Sequence, residues 1–342
     1  MSVRPIRQNR SEWLAVCPLL RCTARMTISD APIAHSSFDW PGREDGPGDA
    51  HLRWHHQVAA GDAESARIHI VGFGSDEGVR RNGGRVGAAD APDAIRAALA
   101  NLAVPFRQAA VDHGTIYVTG TDLESGQAAQ AAAVTTALGA SHANNGVTVA
   151  LGGGHETSWP TYLGTREQLA PSERTAIINL DAHFDLRAQD APSSGTPFLQ
   201  MARDCQSSGR SFDYSVIGIS TPNNTRALFD TAAALGVSVL TDEQCDADRL
   251  AAFIQPILER ADHVHLSIDL DVLPAHEAPG VSAPAALGVS LGRLLPVVRT
   301  IAQSGLLRVV DVVELNPRHD QDARTARAAA RLIHEIVYAL PA

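Results

Sequence analysis

Three short segments gather the residue types that could do chemistry. They are Gly152-Gly153-Gly154-His155-Glu156, Asp181-Ala182-His183-Phe184-Asp185 and Ser267-Ile268-Asp269-Leu270-Asp271, and each follows a short apolar run. Together they hold two histidines, His155 and His183, and four aspartates, Asp181, Asp185, Asp269 and Asp271. In an extended segment alternate side chains point the same way, so Asp181, His183 and Asp185 can share one side while Ala182 and Phe184 take the other. Asp269 and Asp271 can do the same. Carboxylates converging from neighbouring strand ends repel one another unless a cation holds them, because uncompensated buried charge is costly. Oxygen donors with imidazole and no thiolate suit Mn2+, Mg2+ or Fe2+ better than structural zinc. One ion that must also hold a water has no use for six ligands, whereas two carboxylate-bridged ions, typically about 3.5–4 Å apart, use them all. Taken singly, each segment has a plainer reading. An Asp after a strand commonly caps a helix, and a His in a glycine-rich turn is commonly a hydrogen-bonded surface residue. The three segments together favour the metal. The triple glycine lacks the Lys-Ser/Thr of a phosphate loop.

These segments need a scaffold that brings them to one edge. From Arg67 onward, short β-branched runs alternate with helix-like stretches. The runs 68–73, 115–119, 147–151, 176–180, 214–219, 237–240, 263–268 and 307–313 read as strands. Several are apolar on both faces, as strands of a covered parallel sheet are. Residues 91–103, 126–138, 225–235, 248–260, 291–304 and 324–339 read as helices, rich in Ala and Leu. This alternation predicts right-handed βαβ units and one doubly wound α/β sheet. Ligands of such sheets bind beyond the carboxyl ends of the strands, where all three segments stand. A sheet of this type lacks GxGxxG after its first strand here, so a dinucleotide-binding reading is set aside.

Composition narrows the partners. The 342 residues carry a formal net charge of −10, which disfavours nucleic acid. The chain contains no Lys, so no Schiff-base or lysine-base chemistry is open to it. Cys17, Cys22, Cys205 and Cys245 form no CxxC pair and suit a reducing, cytoplasmic setting. No apolar run reaches the ~18 residues of a membrane span. Residues 1–66 are expected to be an N-terminal extension and surface arm, partly disordered, with residues 1–25 an upstream stretch before Met26. Residues 67–342 are expected to form the catalytic domain.

The motifs Gly154-His155, Asp181-Ala182-His183-Phe184-Asp185 and Ser267-Ile268-Asp269-Leu270-Asp271-Val272 resemble those of the ureohydrolase family of arginases, agmatinases and formimidoylglutamases. The resemblance runs from about Arg67 to Ala339. It implies a three-layer αβα sandwich with a central parallel sheet of about eight strands, homo-oligomeric assembly and two Mn2+ per subunit. One ion would take His155 and Asp185 and the other His183 and Asp271, with Asp181 and Asp269 bridging. Asp185 would also orient the attacking hydroxide.

Smaller motifs look like the formimidoylglutamase branch: Asp76-Glu77-Gly78-Val79-Arg80-Arg81-Asn82-Gly83-Gly84-Arg85, His155-Glu156-Thr157-Ser158-Trp159, Phe184-Asp185-Leu186-Arg187 and Ser194-Gly195-Thr196-Pro197-Phe198. The Trp40-Pro41-Gly42-Arg43 stretch is similar to the same branch. The implied substrate carries a formamidine at one end and two carboxylates at the other. Arg187 and Ser194 would hold the carboxylate end, since a guanidinium pairs bidentately with carboxylate. Glu314, in Asp311-Val312-Val313-Glu314, would hold the amidine, and Asp311 would give support behind it. Phe198 stands where arginase-like members carry a proton-shuttling His, which disfavours arginase activity. The alternatives are a ureohydrolase acting on a guanidino acid or agmatine, and a non-catalytic ligand-binding member.

Overall fold

The computed structural model describes residues 33–59 and 65–342, so the expected upstream stretch at residues 1–25 lies outside the described residues. Within them, the apolar runs become strands: β1 Ile33–Ser36, β2 Ile68–Gly74, β3 Ala110–Val118, β4 Val147–Gly152, β5 Thr175–Leu180, β6 Asp213–Ile219, β7 Ser238–Thr241, β8 His263–Asp269 and β9 Leu307–Val313. The helices are α1 Trp54–Ala59, α2 Glu77–Arg81, α3 Ala91–Ala100, α4 Leu123–Ala143, α5 Ser158–Gln168, α6 Pro197–Ser208, α7 Arg226–Ala234, α8 Ala247–Arg260, α9 Leu291–Gln303 and α10 Arg324–Ala339. Several start where their sequences dictate. The Asp122 carboxylate accepts from the Ser125 N–H ahead of α4, the Asp246 carboxylate accepts from the Arg249 N–H ahead of α8, and Pro92 sits in the first turn of α3.

One sheet runs in the order β1-β3-β2-β4-β9-β8-β5-β6-β7. The eight expected strands are all present and mutually parallel. β1 is a correction to the expected count of about eight: it adds a ninth strand, antiparallel to β3 at the sheet edge. β2, β4 and β8 are buried along their whole length, as strands covered on both faces must be. Alternation sends Ala176, Ile178 and Leu180 of β5 into one core, shared with α3, α8, α9 and α10, and Ile177 into the other, shared with α5, α6 and α7. Helices therefore cover both faces, giving the expected αβα sandwich.

The stretch expected as a surface arm contributes buried side chains. Trp40, Leu52 and Trp54 join the same core as β2 and α3. Trp40 Nε1 donates to Asp112 Oδ2 (2.7 Å), and the fully buried Arg96 donates to both oxygens of Asp112 (2.8 Å each).

Candidate metal centre

The strand order decides where the chemistry meets. β4, β9, β8 and β5 are neighbours in the middle of the sheet. Their carboxyl ends lead to His155, Glu314, the Asp269–Asp271 pair and the Asp181–Asp185 segment respectively. Segments more than a hundred residues apart thus converge at one edge, as expected of an open parallel sheet.

All six expected ligands come together. Ligand atoms of His155, Asp181, Asp185 and Asp269 lie within 4.8 Å of one another, and so do those of Asp181, His183 and Asp271. His155 Nδ1 faces Asp185 at 2.9 Å, Asp269 at 3.1 Å and Asp181 at 3.3 Å. His183 Nδ1 faces Asp271 at 3.0 Å and Asp181 at 3.6 Å. Asp181 belongs to both groups, as a bridging carboxylate should, whereas Asp269 falls with the His155 group.

The local backbone departs from the simple alternation read from the sequence. The chain leaves β5 at Leu180 and turns: the His183 N–H donates to Asp181 Oδ1 (2.6 Å). After β8 it turns again, and the Asp271 N–H donates to Asp269 Oδ1 (2.8 Å). The same residues converge, but through Asp side chains capping their own turns. Asp185 and Glu314 adopt φ values of 47° and 68°. Non-glycine residues rarely take this left-handed region, and such strain is characteristic of functional sites.

Behind the ligands lies a polar row across the sheet. β5, β8 and β9 pair Asn179 with Ser267 and Ser267 with Asp311. Asn179 Nδ2 donates to Asp181 Oδ2 (2.9 Å). His155 Nε2 donates to Ser267 Oγ (2.9 Å), and Ser267 donates in turn to Asp311 Oδ1 (2.5 Å). Asp311 also accepts from Ser158 Oγ (2.7 Å) and His265 Nε2 (2.5 Å). This chain puts the His155 proton on Nε2 and leaves a lone pair on Nδ1. That buried Nδ1 has no hydrogen-bond partner although three carboxylates surround it. An unpaired lone pair aimed into a carboxylate cluster fits a cation. The expected support role of Asp311 has a route here, through Ser267 to His155. Ser267, Ser158, His265 and Asn179 were missed in the sequence, because only the strand register brings them together.

Without a cation, the same carboxylates draw protons to the histidines. Burial pulls the His155 pKa down, but Asp181, Asp185 and Asp269 hold it well above its ordinary value. The charge of Asp271 raises His183 to about 12. Burial raises Asp185, Asp269 and Asp271, and the negative charge of Asp181 raises each further. Burial acts against the Asp181 charge too, yet His155 and His183 hold its carboxyl well below the usual range. Protons and a cation compete for the same place in such a cluster.

Above the ligands opens a cavity of about 300 Å3, a size suited to a small molecule. His183, Asp185, Asp269, Asp271 and Glu314 form its floor, and Asn82, Arg85, Arg187, Ser194 and Ser282 its walls. Glu314 Oε1 accepts from the His155 N–H (2.8 Å). Burial, with the negative charge of Glu156 nearby, raises Glu314 to about 8. Among the described residues Arg187 has no ion-pair partner, although its backbone N–H donates to the Gly195 carbonyl (2.9 Å). Ser194 Oγ accepts from Asn82 Nδ2 (3.1 Å), which leaves its own proton free to be donated. Phe198 does not line the cavity. It is fully buried, edge-on to His155 (5.2 Å) and stacked on Tyr214 (4.5 Å).

The Arginase family model matches residues 66–338. The chain is 54% identical to the formimidoylglutamase of Nocardia farcinica over 302 residues, covering 87% of this chain and 95% of that protein. It is 50% identical to the formimidoylglutamase of Rhodococcus jostii over 305 residues, covering 87% and 94%. A variant of the Trypanosoma cruzi formiminoglutamase, solved with Mn2+, superposes with a TM-score of 0.75 at 25% identity, covering 85% of this chain and 99% of that one.

Proposed function

The chain belongs to the Arginase family, and from that premise we propose that it hydrolyses N-formimidoyl-L-glutamate to L-glutamate and formamide, as a step of histidine degradation, with two Mn2+ per subunit. The observation that carries the reading is a cavity floored by four of six convergent His and Asp side chains, with a guanidinium on its wall, that of Arg187, without an acid partner among the described residues. A cationic amidine with a dicarboxylate tail matches both ends. Agmatine has no carboxylate for Arg187.

In this mechanism His155 and Asp185 would hold one ion and His183 and Asp271 the other, with Asp181 and Asp269 shared between them. When bound, the pair supplies Lewis acidity and makes water a nucleophile near neutral pH. Asp185 accepts a hydrogen bond from the attacking water and orients it towards the formimidoyl carbon. Glu314 receives the amidinium nitrogens. An adjacent cation favours the ionised form of Glu314, against the burial that raises its pKa. Arg187 and Ser194 fix the carboxylate tail. Water adds across the formimidoyl C=N bond, the single bond from that carbon to the glutamate nitrogen breaks, and that nitrogen leaves as the amine, taking a proton from the added water.

No helix of the described residues is long and apolar enough to cross a membrane. Cys205 and Cys245, buried and free, suit a cytoplasmic setting. The test is release of formamide and glutamate by purified protein, with Mn2+ and after exhaustive chelation. Stoichiometric release that chelation abolishes and Mn2+ restores is the expected result. Full activity in the chelated protein overturns the metal assignment, and turnover of agmatine or a guanidino acid in place of this substrate overturns the substrate.

A further inference from the structure

Arg85 stands on the cavity wall. Its backbone N–H donates to Ser282 Oγ (2.9 Å), its Nε donates to the Ser282 carbonyl (3.0 Å), and its Nη2 donates to the Val281 carbonyl. Asn316 Nδ2 holds the loop from behind, donating to the carbonyls of Arg85 (2.9 Å) and Val86 (3.2 Å). Gly84 lets the two loops meet: a Cβ there would lie 2.6 Å from Ser282 Oγ. The guanidinium is therefore held in place by neutral carbonyls. Those bonds use only part of its fork and leave both Nη1 hydrogens and one on Nη2.

No carboxylate pairs with Arg85 among the described residues, although Asp185, Asp269, Asp271 and Glu314 line the same cavity. Arg187 is in the same state. Among the described residues other exposed arginines often pair with an acid, as Arg80 does with Glu77 and Arg331 with Glu335. Two guanidinium groups without an acid partner on one small cavity, that of Arg85 held in place, call for a ligand with more than one carboxylate.

Resting on the substrate reading above, we propose that Arg85 is a specificity-determining residue that binds one carboxylate of the substrate while Arg187, with Ser194, binds the other. The two arginines divide the glutamyl moiety, and the enzyme rejects amidines that carry a single carboxylate because one guanidinium then stays unmatched.

The test measures kcat and KM, in Mn2+-loaded protein of verified metal content, for three substrates: N-formimidoyl-L-glutamate, its γ-carboxamide and its analogue lacking the α-carboxylate. Wild-type protein is expected to prefer the dicarboxylate over both. Arg85→Met is expected to raise KM for the dicarboxylate about 10- to 100-fold and to lose its preference over one analogue while keeping it over the other. Arg187→Met is expected to show the reverse pattern. Arg85→Lys, which keeps the charge without the fork, is expected to recover part of the lost KM. An equal loss by Arg85→Met on all three substrates, or no loss on any, overturns this inference alone. No turnover of the dicarboxylate by wild-type protein overturns the substrate reading and the inference with it.

Discussion

The floor and the walls of the cavity are built on opposite terms. Asp269 and Asp271 of the floor are 3% and 4% exposed, and Asp181 and His155 behind them are fully buried. Every floor carboxylate that caps a turn is pinned by a backbone N–H, and His155 is pinned through Ser267 to Asp311. The walls carry exposed arginines that touch only backbone carbonyls or no partner at all. The floor has its geometry settled before a ligand arrives, while the walls keep unspent donors for the ligand to satisfy. Changes in the floor should therefore reach metal content and kcat, and changes in the walls should reach KM and substrate choice.

That division can be broken at four positions, from the largest expected effect to the smallest. Asp269→Ala should strip metal and lower kcat by about 10³-fold; elemental analysis alongside kinetics checks it, and full metal retention would refute the bridging role. Arg187→Met should raise KM for the dicarboxylate about 10- to 100-fold with metal content unchanged. An unaltered KM removes its assigned role. Ser267→Ala should lower metal affinity roughly tenfold or more, since partners behind a ligating histidine contribute about 10- to 100-fold. Metal titration reads this directly, and a shift confined to KM would erase the distinction between floor and wall. Ser194→Ala should raise KM only about three- to tenfold, the share of one hydroxyl hydrogen bond, with kcat and metal content intact.

The candidate ligands are legible in the sequence because each follows a strand run of high β-branched content, and five of the six stand two residues from another. The backbone turns that aim them are not, since Asp181 and Asp269 make those turns with their own side chains. The polar row Asn179–Ser267–Asp311 was invisible for a different reason. It exists only once β5, β8 and β9 lie side by side in register, and neither strand order nor register is local. The same applies to β1, four partly exposed residues that become a strand only by pairing with β3. β3 itself was read from Thr115 but begins at Ala110, because Asp112, His113 and Gly114 look like a turn. Gly114 does take a φ of 77°, and the pairing of β2 with β3 shifts register opposite it. Helix α5 was missed because Pro160 and Gly164 interrupt its propensity, and α6 because Ser, Gly and Pro at its start read as loop.

The candidate ligands follow β4, β5 and β8, which lie within one run of four neighbouring strands, β4-β9-β8-β5, in the middle of the sheet. Ions seated among them would act as rivets through the middle of the molecule. Their binding free energy then counts towards folding, by RT ln(1 + [M]/Kd) for each site empty in the unfolded chain. Melting temperature should climb with free Mn2+ and drop on chelation, so that starvation for the ion would cost the cell the protein as well as its turnover.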